Sequence, residues 1–117
     1  MDRFTNAYIE AALWSSTDNS DDSGGNPLDD NYGIEDIAPE TLASILEDCK
    51  AFQDAHAEDI GGDLEQAGHD FWLTRNRHGA GFFDGDWPDD VGTRLTEASH
   101  GFGSIDLYIG DDGLIYS

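Results

Sequence analysis

Positive charge is what this chain most conspicuously lacks. It carries 5 Lys and Arg against 26 Asp and Glu, a formal net charge of −21, and Lys50 is its only lysine. A direct nucleic-acid or anionic-membrane ligand is argued against, because both are bound through cationic surface. Cysteine is nearly missing too. Cys49 stands alone, so no internal disulfide can form, and its place on an apolar helical stripe predicts a buried, inert thiol. No apolar run is long enough to span a bilayer and no charged-then-apolar leader opens the sequence, so a cytoplasmic protein is expected. Catalytic signatures are also wanting: there is no nucleophile motif, no His pair on one helical turn, and no phosphate loop. Gly24-Gly25, Gly61-Gly62 and the 79–81 stretch lack the strand, helix and lysine of a phosphate cradle and read as turns. No cofactor and no resident metal is expected.

What remains is a single domain, 1–117, long enough to bury a core without staples. Its acid is unevenly spread: residues 1–63 hold 16 acids and 2 bases, residues 64–117 hold 10 acids and 3 bases. Phe4, Tyr8, Ile9, Ala12 and Leu13 repeat at helical spacing and predict a helix over 2–14. Residues 17–32 have no periodicity and many turn formers, which predicts an acidic flexible loop. Pro39 suits a first helical position and Glu40 a first turn. With Leu42, Ile45, Leu46, Cys49, Phe52 and His56 forming a stripe, a helix over 39–57 follows.

From 68 to 116 the pattern predicts a ββαββ core module. Phe71 and Leu73 alternate with Trp72 and Thr74, giving a strand over 70–76 after a short helical turn at 64–67. A turn at 78–81 and a second strand at 81–84 complete a hairpin. Pro88, Asp89 and Asp90 open a helix whose inner stripe is Val91, Leu95, Ala98 and Phe102. Ile105, Leu107 and Ile109 alternate with Asp106 and Tyr108. The 110–113 Gly-Asp-Asp-Gly turn then returns the chain as a strand over 114–116. The expected class is α+β, a four-stranded mainly antiparallel sheet with helices packed on one face.

The strings GHDFWLTRNRHGAGFFD and GTRLTEASHGFGSIDLYIGDDGLIY resemble a family of small acidic proteins encoded by tailed bacteriophages and other mobile elements. The resemblance covers about 63–116 and, more loosely, the helix around Cys49 and Phe52; it does not reach residues 1–31. It implies an accessory protein of a phage or mobile element and carries over no catalytic residue.

Four chemistries compete for the acidic sequence. In the first, carboxylates imitate the charge track of duplex DNA and occupy a cationic groove. The partner would be a nucleic-acid-binding host protein or ribonucleoprotein, and the outcome anti-CRISPR or anti-restriction inhibition. Glu40, Glu47, Asp48, Asp54, Glu58 and Asp59 would form one row and Asp18, Asp21, Asp22, Asp29 and Asp30 a second, with aromatic anchors among Tyr32, Trp72 and Trp87. The competing plain account is a solvated acidic face. Two fields of this size repel, so a monomer is favoured. In the second chemistry, 19 Asp against 7 Glu suits a protein working in concentrated salt. The third is a divalent-metal site: Asp18, Ser20 and Asp22 imitate the start of a calcium loop, but Ser23 replaces its glycine and Asp29 its glutamate. Asp84, Asp86, Asp89 and Asp90 make a looser cluster. The fourth is a His-based or metal-dependent hydrolase or nuclease, with His69 and His78 paired across one hairpin beside Asp70 and with Arg75 for an oxyanion.

Overall fold

The computed structural model describes residues 2–18, 26–77, 81–82 and 87–117. Among them are four α-helices, α1 (Arg3–Ser15), α2 (Pro39–Ile60), α3 (Leu64–Arg75) and α4 (Asp89–Gly101). There are also two antiparallel pairs of two-residue strands, β1 (Thr17–Asp18) with β2 (Asn26–Pro27) and β3 (Tyr108–Ile109) with β4 (Ile115–Tyr116). The four-stranded sheet with helices on one face is therefore corrected: the protein is a helical assembly with two small strand pairs at its margin. No helix among the described residues is long and apolar enough to cross a membrane.

Helix α1 is the central element. Asp2 caps it, its Oδ1 accepting the Thr5 amide at 2.8 Å. Arg3, Asn6, Glu10 and Trp14 face outward, a narrow stripe three to four residues apart, Ser15 is half-buried, and the rest of the helix is buried. Thr5, although polar, is also inside. Helix α3 runs against α1. Their approach depends on Gly68, where a Cβ would be driven into the carbonyl of Phe4, 2.8 Å from its carbon. The small residues Ala7, Ala11 and Ala12 of α1 and Ala67 of α3 are all buried.

The stretch expected as the first strand of the module is the second half of α3. Phe71 to Arg75 are all buried, whichever way they point. A helix enclosed on every side loses the 3.6-residue contrast that reveals it. A run of two aromatics, a leucine and a β-branched threonine then imitates a strand. Asn76 closes the helix: its side chain donates to the Trp72 carbonyl at 3.0 Å and accepts the Ile105 amide at 2.9 Å. Arg77 follows in the left-handed region, φ 56°. Phe82, from the expected second strand, is buried, with its amide on Thr74 Oγ1 at 3.1 Å. Residues 78–80 and 83–84 of that hairpin lie outside the described residues.

Helix α2 forms where the sequence predicts, with Pro39 first and Ile45, Cys49 and Phe52 inward, but Leu46 of the expected stripe is exposed, and the helix runs on to Gly61, φ 61°. It is kinked at His56, whose backbone leaves the helical region at φ −127° and ψ 23°. Phe52 stacks on Phe71 with ring centroids 4.2 Å apart and 18° between planes. Phe4, Tyr8, Phe82 and Phe102 close around that pair. Such aromatic contacts add about 0.5–1.5 kcal/mol per pair beyond the area they bury. Helix α4 starts where Pro88 and two acids place it, and Leu95 is its buried centre.

The predicted flexible loop is corrected at its ends. β1 and β2 pair, Leu28 is fully buried, and a 3₁₀ turn over Leu28–Asp30 packs on α1. The closing hairpin stands where the Gly-Asp-Asp-Gly turn puts it, with strands shorter than the alternation suggests. Its Ile115 carbonyl accepts the Ala38 amide at 2.9 Å, tying the C-terminus to the start of α2.

Candidate functional site

The α2 acids separate into two sets. At about 100° per residue, Glu40, Glu47 and Asp54 fall within about 40° of one another on the outer face. All three are exposed, as is Glu58 beyond the kink. Asp48 and Asp59 sit about a quarter-turn round, and both are engaged structurally. Asp48 Oδ2 accepts from Arg75 Nη1 at 2.9 Å. Asp59 takes Arg94 side-on, with Nε–Oδ2 at 3.0 Å and Nη2–Oδ1 at 2.7 Å, and that guanidinium holds its carboxyl below the ordinary carboxylate range. Asp54 meets Lys50 at 2.7 Å, an exposed i, i+4 pair that raises the Lys50 pKa. Exposed pairs of that kind contribute little. Glu40, Glu47 and Glu58 form no ion pair among the described residues.

Of the second row, Asp29 and Asp30 are exposed on the 3₁₀ turn. Asp21 and Asp22 lie outside the described residues, and Asp18 is placed only as part of β1. Among the described residues no three His, Cys, Asp or Glu side chains converge to hold a metal ion. Ser20, Ser23, Asp84 and Asp86, from the two metal readings, are not among those residues.

The aromatic anchors are corrected. Trp72 and Trp87 are 2 % and 7 % exposed, enclosed in the core and closed to a partner. Each indole N–H has an internal acceptor: Trp72 donates to Ser15 Oγ at 2.6 Å and Trp87 to Asp70 Oδ2 at 2.8 Å. Tyr32 is half-buried. Among the described residues, the most exposed aromatic rings are Trp14, 47 % exposed, and Tyr108, 55 %. Tyr108 was legible. The 105–109 alternation puts it with Asp106 on the polar face, opposite Leu107. Trp14 closes the exposed stripe of α1, a face the apolar count passes over.

Of the hydrolase constellation, the described residues bring His69 and Asp70 together, with Nδ1 3.7 Å from Oδ1, and leave Arg75 apart from them. His69 is on a helix, not a hairpin, and its ring stacks on Trp14 with centroids 5.7 Å apart. His78 lies outside the described residues. Asp70 is buried and saturated by structural donors. Gln66 Nε2 gives a bond to each carboxylate oxygen at 3.0 Å, and Trp87 gives a third. Arg75 points into the core. Its guanidinium donates to Tyr8 Oη at 3.1 Å, Asp48 at 2.9 Å, and the carbonyls of Gly103 at 2.8 Å and Phe102 at 3.0 Å. It also lies against the rings of Phe71 and Phe102. A guanidinium so committed ties α1, α2, α3 and the end of α4 together and is not offered to an oxyanion. Tyr8 and Cys49, both buried beside this hub, have their pKa values raised by desolvation, Cys49 to about 12. The thiol is protonated and unreactive.

A shallow groove of about 640 Å³ runs along the outer stripe of α1, lined by Arg3, Asn6, Glu10, Glu65, Gln66 and His69. Its lining brings two carboxylates, an imidazole and a guanidinium together, with no Ser, Thr, Cys or Lys among these residues. No family model, curated protein or solved structure matches the chain.

Proposed function

We propose that this protein acts by binding and not by catalysis. It is an acidic decoy that covers the nucleic-acid site of a cationic host protein or ribonucleoprotein, either a CRISPR effector or a restriction-type nuclease. The observation that supports this is the outer face of α2, where Glu40, Glu47 and Glu58 stand exposed and unpaired on a helix fixed through Phe52 and the Arg75–Asp48 bond. The likeness to phage-encoded acidic proteins supplies the class of target. The protein works as a monomer in the host cytoplasm and needs no cofactor. Asp48 and Asp59 act within the fold, so neutralising them would confuse instability with lost binding. The test is phage plating efficiency on bacterial strains that each carry one CRISPR or restriction system. Expression of the chain raises plating on at least one strain, and the triple variant E40Q/E47Q/E58Q, equally folded by circular dichroism, does not. Full protection by the triple variant would overturn the decoy.

A further inference from the structure

The proposed binding face has a hot spot that the charge pattern alone does not reveal. Tyr108 and Tyr116 stack across the C-terminal hairpin, with centroids 5.9 Å apart and 23° between planes. The pair is held in place from beneath. The Tyr116 ring lies over Gly110, where a Cβ would come within 2.6 Å of it. Its hydroxyl donates to Asp112 Oδ2 at 2.6 Å, and Asp112 Oδ1 accepts the Leu114 amide at 3.0 Å. Gly113 turns the hairpin with φ 80°. Tyr108 is then left as the most exposed large hydrophobic side chain among the described residues.

The surroundings are anionic. Asp106, Asp111 and Asp112 are exposed on the hairpin, and Glu40, at the start of α2, is near enough to act electrostatically on the Tyr116 hydroxyl. None of these four carboxylates forms an ion pair among the described residues. The hairpin is also tied beside the start of the acidic row, where the Ile115 carbonyl accepts the Ala38 amide at 2.9 Å. A rigid aromatic surface set among unpaired carboxylates matches one side chain better than any other. Guanidinium is planar, weakly hydrated, stacks on aromatic faces and donates in a fork to carboxylates; an ammonium ion is a compact, strongly hydrated point charge.

We propose that the Tyr108–Tyr116 face of the C-terminal hairpin receives an arginine side chain of the cationic partner, stacked on Tyr108 and hydrogen-bonded to the neighbouring carboxylates. This rests on the reading of the protein as an acidic decoy and names the chemistry its anchor recognises. The test uses decaarginine and decalysine peptides as probes, with affinity measured by fluorescence anisotropy at low and physiological ionic strength. Wild type binds decaarginine roughly tenfold more tightly than decalysine, about what one partly desolvated cation–π contact supplies. Tyr108→Ala brings that ratio close to one with decalysine affinity unchanged, and Tyr108→Phe, which keeps the ring, retains the preference. The triple variant E40Q/E47Q/E58Q weakens both peptides and leaves the ratio largely in place. A ratio that Tyr108→Ala does not lower, or no arginine preference in wild type, overturns the hairpin assignment. Unchanged affinities in the triple variant would instead strike at the decoy itself.

Discussion

Gly68→Ala sets two effects of known sign against each other. In a helix interior, alanine is favoured over glycine by about 0.8–1.0 kcal/mol. Position 68 is in the middle of α3, so propensity alone predicts stabilisation. The structure predicts the reverse. The added methyl meets the carbonyl oxygen and carbon of Phe4, which are backbone of the central helix and cannot rotate away. Relief requires α1 and α3 to separate along the contact where Phe4 and Tyr8 meet Phe71. Overpacking of this kind costs typically about 1–3 kcal/mol, and a backbone obstacle belongs at the upper end. The net expectation is a loss of about 2 kcal/mol, or about 8 °C in Tm for a domain of this size. The control is Gly101→Ala in α4, where a Cβ meets nothing within 4 Å and the change should be neutral to slightly stabilising. Urea titrations at neutral pH with wild-type m-values would report both differences. If the two variants moved stability equally, the packing of α1 on α3 described above would be wrong.

Neighbouring acids on α2 should behave oppositely. Asp48→Asn leaves the buried Arg75 short of its carboxylate and costs about 1–2 kcal/mol. That is less than the 3–5 of a fully buried pair, because Asp48 is 36 % exposed. Glu47→Gln stays within about 0.5 kcal/mol; chemical denaturation of both variants separates the structural acid from the surface one. The Cys49 thiol should react with a disulfide reagent only as fast as the core opens, so labelling speeds up with urea; fast labelling of the native protein would contradict its burial. Arg94 holds Asp59 below its ordinary pKa, so the stability it contributes is present above about pH 4 and is lost as pH falls through the folded-state value. The Tm gap between wild type and Asp59→Asn is therefore open at neutral pH and closes in acid; a gap independent of pH would refute the pairing.

How much the sequence disclosed depended on how far each segment was buried. Helix α2 and the start of α4 have one wet face and one dry face, and their apolar spacing, leading prolines and first-turn acids located them to within a few residues. The end of α3 is dry all round, so its periodicity vanished and its aromatic and β-branched content pointed to a strand. Gly68, within the expected module, is a contact glycine whose role depends on Phe4, sixty-four positions away, and no local pattern carries that. The same difficulty governs the site. Trp72 and Trp87 look like interface anchors by residue type, yet acceptors distant in sequence, Ser15 and Asp70, take them into the core. The acidic row was legible by spacing; which of its members are already paired was not, because Arg75 and Arg94 reach it through the fold.

The geometry of α2 also decides how binding should respond to salt. Duplex DNA has one charge per about 1.7 Å of axis, and the counterions it condenses give binding a linear dependence on log salt. Condensation needs charges closer than the separation at which two of them interact with energy RT in water, which Coulomb's law puts at about 7 Å. From Glu40 to Glu58 the helix rises about 27 Å, and it carries three unpaired carboxylates over that length. Neighbours in the row therefore stand well beyond that separation, and the row condenses few ions of its own. A cationic partner is attracted by screened charges, whose reach is about 10 Å at 0.1 M salt and about 3 Å at 1 M. Affinity measured across that range should fall steeply at first and then level off, with log K tracking the square root of ionic strength. The residual high-salt affinity should be set by apolar contact such as that of Tyr108. A straight line in log salt with a slope of several, persisting to molar concentrations, would show that the acids lie far closer together than α2 places them.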